Sequence, residues 1–237
     1  MAKNKMAEDS FDLNLLNEAI AETIVKRKSD AEVFANSSPL EQKLLDHGLV
    51  NVSKLDTLLK TDLRYASSNN FLNEVLYDGL KNCYLQAEVA NMVLKAQEIL
   101  QQQTPNQSLL LLDCVRPQSV QYKMWDKVEN TNKKKYVAHP KQGSMHNFGV
   151  AIDVTIVDEE GKELDMGTPF DYFGELAQPR HNHKFIQSGE LSPKQLTNRV
   201  RLRAIMKKAG FKSIDTEWWH FVAFDKNLTR KKYQIVP

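Results

Sequence analysis

The stretch from Val150 to Val157 constrains the fold more than any other, because it combines the alternation of a β-strand with an ionisable residue. One face carries branched apolar side chains: Val150, Ile152, Val154 and Ile156. The other face is small or polar: Gly149, Ala151, Asp153 and Thr155. A carboxylate between such neighbours is poorly suited to an apolar interior. It fits the floor of a polar site, where the small neighbours leave room for an ion and a substrate.

Two short segments carry the residues best suited to chemistry. His146 precedes the predicted strand on a loop, and the second segment runs from Glu217 to His220. With Asp153, they offer two imidazoles and two carboxylates, which can bind a zinc ion and still leave a base. We therefore predict that His146, Asp153 and His220 bind one zinc ion per chain.

The second segment raises a geometric problem. Residues three apart point to opposite faces of a regular strand, so Glu217 and His220 would diverge. Two solutions remain open at this point. Either the chain bends or bulges near Trp218 or Trp219, or Glu217 precedes the strand.

The predicted ligand set leaves one coordination position for water, whose pKa zinc lowers to roughly 7. Glu217 suits the role of the base that takes the water proton and passes it to a leaving amine. Arg116 follows a candidate strand and is our choice for stabilising the oxyanion. The alternative for Arg116 is a structural ion pair, for instance with Asp113.

Composition excludes a mostly disordered chain and offers no support for a nucleic-acid partner. Hydrophobic residues make up 41% of the 237 residues and charged residues 26%, which predicts a globular chain with a core. The 32 Lys and Arg against 30 Asp and Glu leave a net charge of +2, which gives no argument for nucleic acid as a partner. We find no run long enough for a membrane span and no secretory signal, so a cytoplasmic or periplasmic location stays open.

Two further features of the sequence are interpreted as structural rather than functional. A disulfide between the only two cysteines, Cys83 and Cys114, is possible but not indicated, and we interpret Cys114 as a buried thiol. The metal-like run from His181 to His183 lies in a polar stretch after a proline, and we interpret it as a loop.

The pattern of elements predicts an α+β fold with a mostly antiparallel central sheet, flanking helices and the zinc site on the sheet. Residues 1–38 are predicted to be a helical extension and residues 39–237 the catalytic domain. The predicted helices are Gln86–Gln103, Pro117–Val128 and Ser192–Lys208. The predicted strands are Ser108–Cys114, Val150–Val157 and Glu217–Phe224.

Several ordered motifs resemble those of a known family. The pattern S-x-H-x-x-G-x-A-x-D, followed by E-x-W-H, is similar to the zinc D-alanyl-D-alanine dipeptidases and their carboxypeptidase relatives. The dipeptidase branch is favoured by three further matches: Asp62–Ala66 with Asn70 and Phe71, Asp113–Pro117, and Met166–Asp171. In the second of these, Cys114 and Val115 replace the Gly-Tyr of the family pattern. The motifs span about residues 40–224 and are therefore far more specific than one short match.

The resemblance implies the same zinc ligands, with Glu217 as base and acid and Arg116 at the transition state. It also implies that Tyr65, Ser144 and Asp171 line the pocket of a small zwitterionic dipeptide, with Asp171 near its ammonium group. The implied activity is hydrolysis of D-Ala-D-Ala. The alternatives are a D,D-carboxypeptidase or endopeptidase acting on peptidoglycan stem peptides, and a zinc-binding module without turnover. The oligomeric state and the physiological role stay open.

Overall fold

The computed structural model describes residues 37–237, so the predicted helical extension over residues 1–38 lies almost wholly outside the described residues. In chain order the α-helices are α1 (Pro39–Asp46), α2 (Ala87–Gln103), α3 (Gln118–Val128), α4 (Asn182–Ser188), α5 (Pro193–Lys208) and α6 (Lys226–Lys232). The strands are β1 (Val50–Asn51), β2 (Lys60–Thr61), β3 (Tyr84–Leu85), β4 (Ser108–Asp113), β5 (Ala151–Val157), β6 (Lys212–Ser213) and β7 (His220–Val222).

A five-stranded sheet organises this part of the chain. Its strand order is β2-β4-β5-β7-β6, and every neighbouring pair except β2 with β4 is antiparallel. A second, two-stranded antiparallel sheet joins β1 and β3. The predicted α+β class with a mostly antiparallel sheet is confirmed.

The long helix α5 forms where the sequence carries clear start signals. Helix α5 begins after Ser192, whose side chain accepts a hydrogen bond from the Gln195 amide, while the Gln195 side chain caps the Ser192 amide in return. Pro193 occupies the first turn, where its missing N–H costs nothing. Apolar residues of α2, α5 and the central sheet share one hydrophobic core, which makes the sheet a rigid support.

Three local predictions are wrong. The run from His181 to His183 is not a loop, because α4 begins at Asn182 directly after a 3₁₀ turn. The strand expected over Glu217–Phe224 is confined to His220–Val222. Cys114 is not a free thiol, since it forms a disulfide with Cys83. The cysteines are brought within reach by β3 and β4, a pairing that their spacing did not reveal.

Within residues 37–237, no helix has the length and apolar character needed to cross a membrane.

Candidate active site

The register between β5 and β7 brings two of the predicted ligands together. Asp153 on β5 lies directly opposite His220 on β7. Residues paired in this way project from the same face of a sheet, with side chains close enough to touch. The Asp153 Oδ1 is 2.9 Å from the His220 Nδ1. Two of the three candidate ligands are therefore brought together by strand pairing.

His146 reaches the same place from a short 3₁₀ helix, Met145–Phe148, just before β5. The Ser144 hydroxyl accepts a hydrogen bond from the His146 amide and opens this turn. Gly149 ends it with a left-handed φ of 66°, and a Cβ there would lie 2.5 Å from a side-chain atom of Leu49. Glycine meets both requirements without strain, so the glycine of the motif helps to set the direction in which the chain enters β5.

The three side chains converge as a metal site requires. The His146 Nε2 is 3.1 Å from the His220 Nδ1 and 3.4 Å from the Asp153 Oδ1. In a tetrahedral zinc site with bonds of about 2.0–2.1 Å, ligand atoms lie roughly 3.3 Å apart. Among the described residues, these three form the one group of three or more His, Cys, Asp or Glu side chains that could hold a metal ion. The donor set therefore fits a divalent cation such as zinc.

A backbone contact orients the ring of His146. Its Nδ1 is 2.7 Å from the carbonyl oxygen of Cys114. Since a carbonyl can only accept, Nδ1 carries the proton and the lone pair of Nε2 points toward Asp153 and His220. Metal-binding histidines commonly have such an outer partner, which fixes the tautomer.

The charges of this cluster depend on one another. Burial acts to raise the pKa of Asp153, but His146 and His220 outweigh it and hold this pKa below the ordinary value. Burial acts to lower the pKa of His146, whereas the carboxylates of Asp153 and Asp113 raise it above the ordinary value. A divalent cation would favour the neutral imidazoles, which are the ligand form.

Glu217 lies before β7 rather than on it, and the chain also bends between the two, so both solutions that the sequence left open apply. The chain bends at Trp218 and Trp219, both buried, and regular pairing starts at His220. The Trp218 indole N–H donates to the Thr168 hydroxyl at 2.9 Å and so fixes one side of the bend. As a result, Glu217 lines the same cavity as the candidate ligands although it is three residues from His220.

The surroundings of Glu217 raise the pKa of its carboxyl group. Burial raises its pKa to about 7, with help from the negative charges of Asp153 and Asp171, while His220 and Arg116 act in the opposite direction. A half-buried carboxyl with such a pKa in a cavity is typical of a proton-transfer site.

Arg116 also lines the cavity, and the ion pair that the sequence left as an alternative is present. Its Nη2 is 2.5 Å from the Asp113 Oδ2, and its Nη1 donates to the Gln121 side chain at 3.1 Å. The Arg116 Nε has no hydrogen-bond partner in the described part of the chain. Burial opposes the charge, but Asp113 and the nearby Tyr65 raise the pKa of Arg116 above its ordinary value. The cavity therefore holds a firmly positioned cation.

Tyr65 and Asp171 meet at the same cavity. The Tyr65 hydroxyl donates to the Asp171 carboxylate at 3.1 Å, and the Arg116 guanidinium lies 5.0 Å from the centre of the Tyr65 ring. Burial, and next the charge of Asp153, raise the pKa of Asp171 to about 7. Asp171 adopts a left-handed φ of 60°, which is unusual for a residue with a side chain. Ser144 lines the cavity too, so all eight predicted site residues are brought together.

Sequence reasoning missed residues that support the site from behind. Asp113 is completely buried and accepts hydrogen bonds from Tyr77 and from the Cys114 amide, besides its ion pair with Arg116. Gln121 connects Arg116 to the Ala138 carbonyl. One indication of this support was present in the sequence, because Asp113 and Arg116 lie in the same motif. That proximity suggested the ion pair but not the other contacts of Asp113.

Two imidazoles and a carboxylate beside a half-buried carboxyl and a buried guanidinium are the groups that a metallopeptidase site requires. A sequence model of the family described as D-Ala-D-Ala dipeptidase matches residues 46–236. The chain therefore belongs to the D-Ala-D-Ala dipeptidase family.

Individual relatives agree with this assignment. The D-alanyl-D-alanine dipeptidase of Escherichia coli is 32% identical over 173 residues, which cover 73% of this chain and 83% of that protein. The protein of the same name from Enterococcus faecium is 30% identical, and the match covers 71% of this chain and 87% of that protein. The one from Enterococcus faecalis is 27% identical, and the match covers 77% of this chain and 94% of that protein.

Proposed function

We propose that this chain hydrolyses D-Ala-D-Ala or a close D,D-dipeptide, using a zinc ion held by His146, Asp153 and His220. One observation carries the proposal: the three ligand atoms converge in the cavity that Glu217 and Arg116 also line. A purely structural zinc site usually closes with four protein ligands and needs neither a base nor a buried cation. The names of the relatives support the choice of substrate.

Each side chain has a role that follows from its place. When bound, zinc supplies a Lewis acid and lowers the pKa of water to about 7. Glu217 takes a proton from the attacking water at its carboxylate and delivers it to the nitrogen of the leaving amine. Arg116 donates hydrogen bonds to the carbonyl oxygen as negative charge develops there, and Asp113 holds the guanidinium in place.

The substrate contacts follow from charge. A dipeptide is a zwitterion. The cavity offers two groups that can carry charge: the Asp171 carboxyl, which is hydrogen-bonded to Tyr65, and the Arg116 guanidinium. We infer that Asp171 accepts the ammonium group of the substrate and that Tyr65 holds the Asp171 carboxylate in position. Ser144, which caps the turn carrying His146, contributes a hydroxyl to the same wall.

The size of the cavity favours a dipeptide over a longer stem peptide. Its volume is about 180 Å³, below the roughly 300–1,000 Å³ of sites for drug-sized ligands. Three aromatic rings from separate segments lie in contact along its wall. Phe173 stacks on Tyr136 with ring centres 4.6 Å apart and meets Phe71 edge-on at 4.8 Å. We infer that these rings limit the length of peptide that enters.

The decisive experiment separates metal binding from turnover. The Glu217→Gln variant should keep about one zinc per chain by elemental analysis, while kcat falls about 10²–10⁴-fold, the usual contribution of an acid–base group. The control is Glu160→Gln, the same change at an exposed turn residue, which should retain full activity. Hydrolysis by Glu217→Gln at the normal rate would show that the proposed mechanism is wrong.

The substrate class needs a separate comparison. The wild-type protein should hydrolyse free D-Ala-D-Ala and leave a peptidoglycan pentapeptide precursor intact, both followed by release of D-alanine. The reverse result would favour the D,D-carboxypeptidase alternative. No hydrolysis of either peptide by the zinc-loaded protein would favour a binding module without turnover.

A further inference from the structure

The disulfide lies directly behind a candidate metal ligand. Cys83 immediately precedes β3 and Cys114 immediately follows β4, and both residues are buried. They are the only cysteines in the chain. The bridge therefore links the small two-stranded sheet to the segment of the central sheet that adjoins the site.

The link to His146 is made by the backbone of a bridged residue. The carbonyl oxygen of Cys114 is the atom that accepts the hydrogen bond from the His146 Nδ1. That contact, the shorter of two at this nitrogen since the Asp113 Oδ2 lies 3.4 Å away, favours a proton on Nδ1 and leaves Nε2 available as a ligand. The position of this carbonyl depends on where the Cys114 peptide is held.

The central sheet holds this peptide weakly. The register between β4 and β5 shifts between Leu111 and Asp113, so the ladder is already irregular where β4 ends. Within residues 37–237, the hydrogen bond of the Cys114 amide goes to the side chain of the preceding residue, Asp113, at 3.0 Å. The next amide, that of Val115, donates to the carbonyl of Tyr84 on β3 at 3.0 Å. The segment is thus held from the β3 side, where the disulfide is, and one residue further on the Arg116 amide donates to the His146 carbonyl at 3.1 Å.

The other end of the bridge is well anchored. The Cys83 amide donates to the Ser53 hydroxyl at 2.9 Å, and its carbonyl accepts from the Val52 amide at 2.8 Å. Both partners belong to a 3₁₀ turn directly after β1. Cys83 therefore provides a fixed point to which Cys114 is covalently tied.

We propose that the Cys83–Cys114 disulfide is a positioning device for metal binding, which holds the Cys114 carbonyl against His146 and so keeps the Nε2 of that histidine aimed at the ion. The inference rests on the proposed function, because it requires the ion to bind at His146, Asp153 and His220. It goes further by making metal affinity depend on a covalent bond outside the ligand set.

The test is zinc affinity in a variant that keeps every ligand. In the Cys83→Ala, Cys114→Ala double variant, the zinc dissociation constant, measured by competition with a chromogenic chelator, should rise about 10–100-fold, as when a metal-binding histidine loses its outer partner. The visible spectrum of the cobalt-loaded protein should change as well, because the histidine ring is no longer fixed. Affinity within about threefold of wild type would overturn the proposal.

A control distinguishes positioning from general destabilisation. Leu202→Ala removes a fully buried side chain from α5 that does not line the cavity, and it should lower the melting temperature while leaving zinc affinity unchanged. An equal loss of affinity in Leu202→Ala would overturn the proposal. If the double variant does not fold, wild-type protein reduced with a phosphine, and freed of the reagent under argon, takes its place in the same titration.

The reference variant His220→Ala separates this inference from the function on which it rests. If His220→Ala binds zinc like wild type, the proposed metal site itself is wrong, and the positioning proposal is overturned with it. If His220→Ala loses zinc while the double cysteine variant keeps it, only the positioning proposal is overturned.

Discussion

Replacing Asp113 with alanine should destabilise the protein more than the loss of an ordinary ion pair. Asp113 is completely buried, and Arg116, its partner at 2.5 Å, is 9% exposed. After the replacement, the guanidinium keeps the neutral Gln121 side chain as a partner but loses its carboxylate. The Tyr77 hydroxyl also loses its acceptor.

The expected magnitude follows from these contacts. Removing one partner of a buried ion pair typically costs about 3–5 kcal/mol, because the other charge stays buried without compensation. An unsatisfied buried hydroxyl adds about 1–3 kcal/mol, and the two terms overlap because they share one carboxylate. We therefore expect a loss of about 4 kcal/mol. At roughly 2–4 °C per kcal/mol, this lowers the melting temperature by about 8–16 °C.

The assay is urea unfolding of the metal-free protein in the presence of a chelator, so that weakened metal binding does not contribute to the difference. Asp113→Asn should lose less, because its amide oxygen still accepts from Tyr77. The matched control is Asp215→Ala, which breaks an exposed ion pair with Arg203 and should cost no more than the roughly 0.2–1 kcal/mol of such pairs. A loss of less than about 1 kcal/mol in the free energy of unfolding of Asp113→Ala would refute the reasoning. It would mean that the buried Arg116 charge is compensated without this carboxylate.

Three further predictions concern backbone geometry, pH and metal removal. Gly149→Ala should cost clearly more stability than Gly48→Ala, because both glycines have a left-handed φ but only the first would place a Cβ in a clash; equal losses would contradict this. Hydrogen bonds from the Gln195 side chain and the Gly167 amide lower the pKa of Asp165, so its charge stabilises the fold above about pH 4 and this contribution disappears as the pH falls further. Below about pH 4, the free energy of unfolding of Asp165→Asn, measured with urea, should accordingly depend less on pH than that of the wild-type protein. Chelation of the metal should lower the melting temperature of the wild-type protein, since a ligand of the native state stabilises it; an unchanged value would argue against a bound ion.

Local sequence signals were sufficient for much of the fold. The α5 helix has a capping serine followed by proline, and the structure confirms its predicted start and end. The alternation over Val150–Val157 predicted β5 correctly, although the face with Asp153 is buried as well. These signals act between residues a few positions apart, so they can be recognised without knowing the tertiary structure.

The candidate site was only partly accessible in this way. The residue types and order of His146, Asp153, Glu217 and His220 indicated a metal site with a base. However, periodicity could not decide how Glu217 reaches the cavity, because the start of β7 depends on pairing with β5 and on the packing of two buried tryptophans. Edges and ends of short strands are determined by their neighbours rather than by their own sequence.

The amino-acid sequence by itself determined the order of the longest helices and strands, the family and the candidate site residues, because each of these depends on local composition or on short motifs. The tertiary structure alone decided that Cys83 bonds to Cys114, that Asp113 supports Arg116 and that the Cys114 carbonyl orients His146. Each of these contacts joins atoms whose proximity results from the way the chain packs, and hydrogen bonds and disulfides depend on distance and direction, which a linear pattern does not contain.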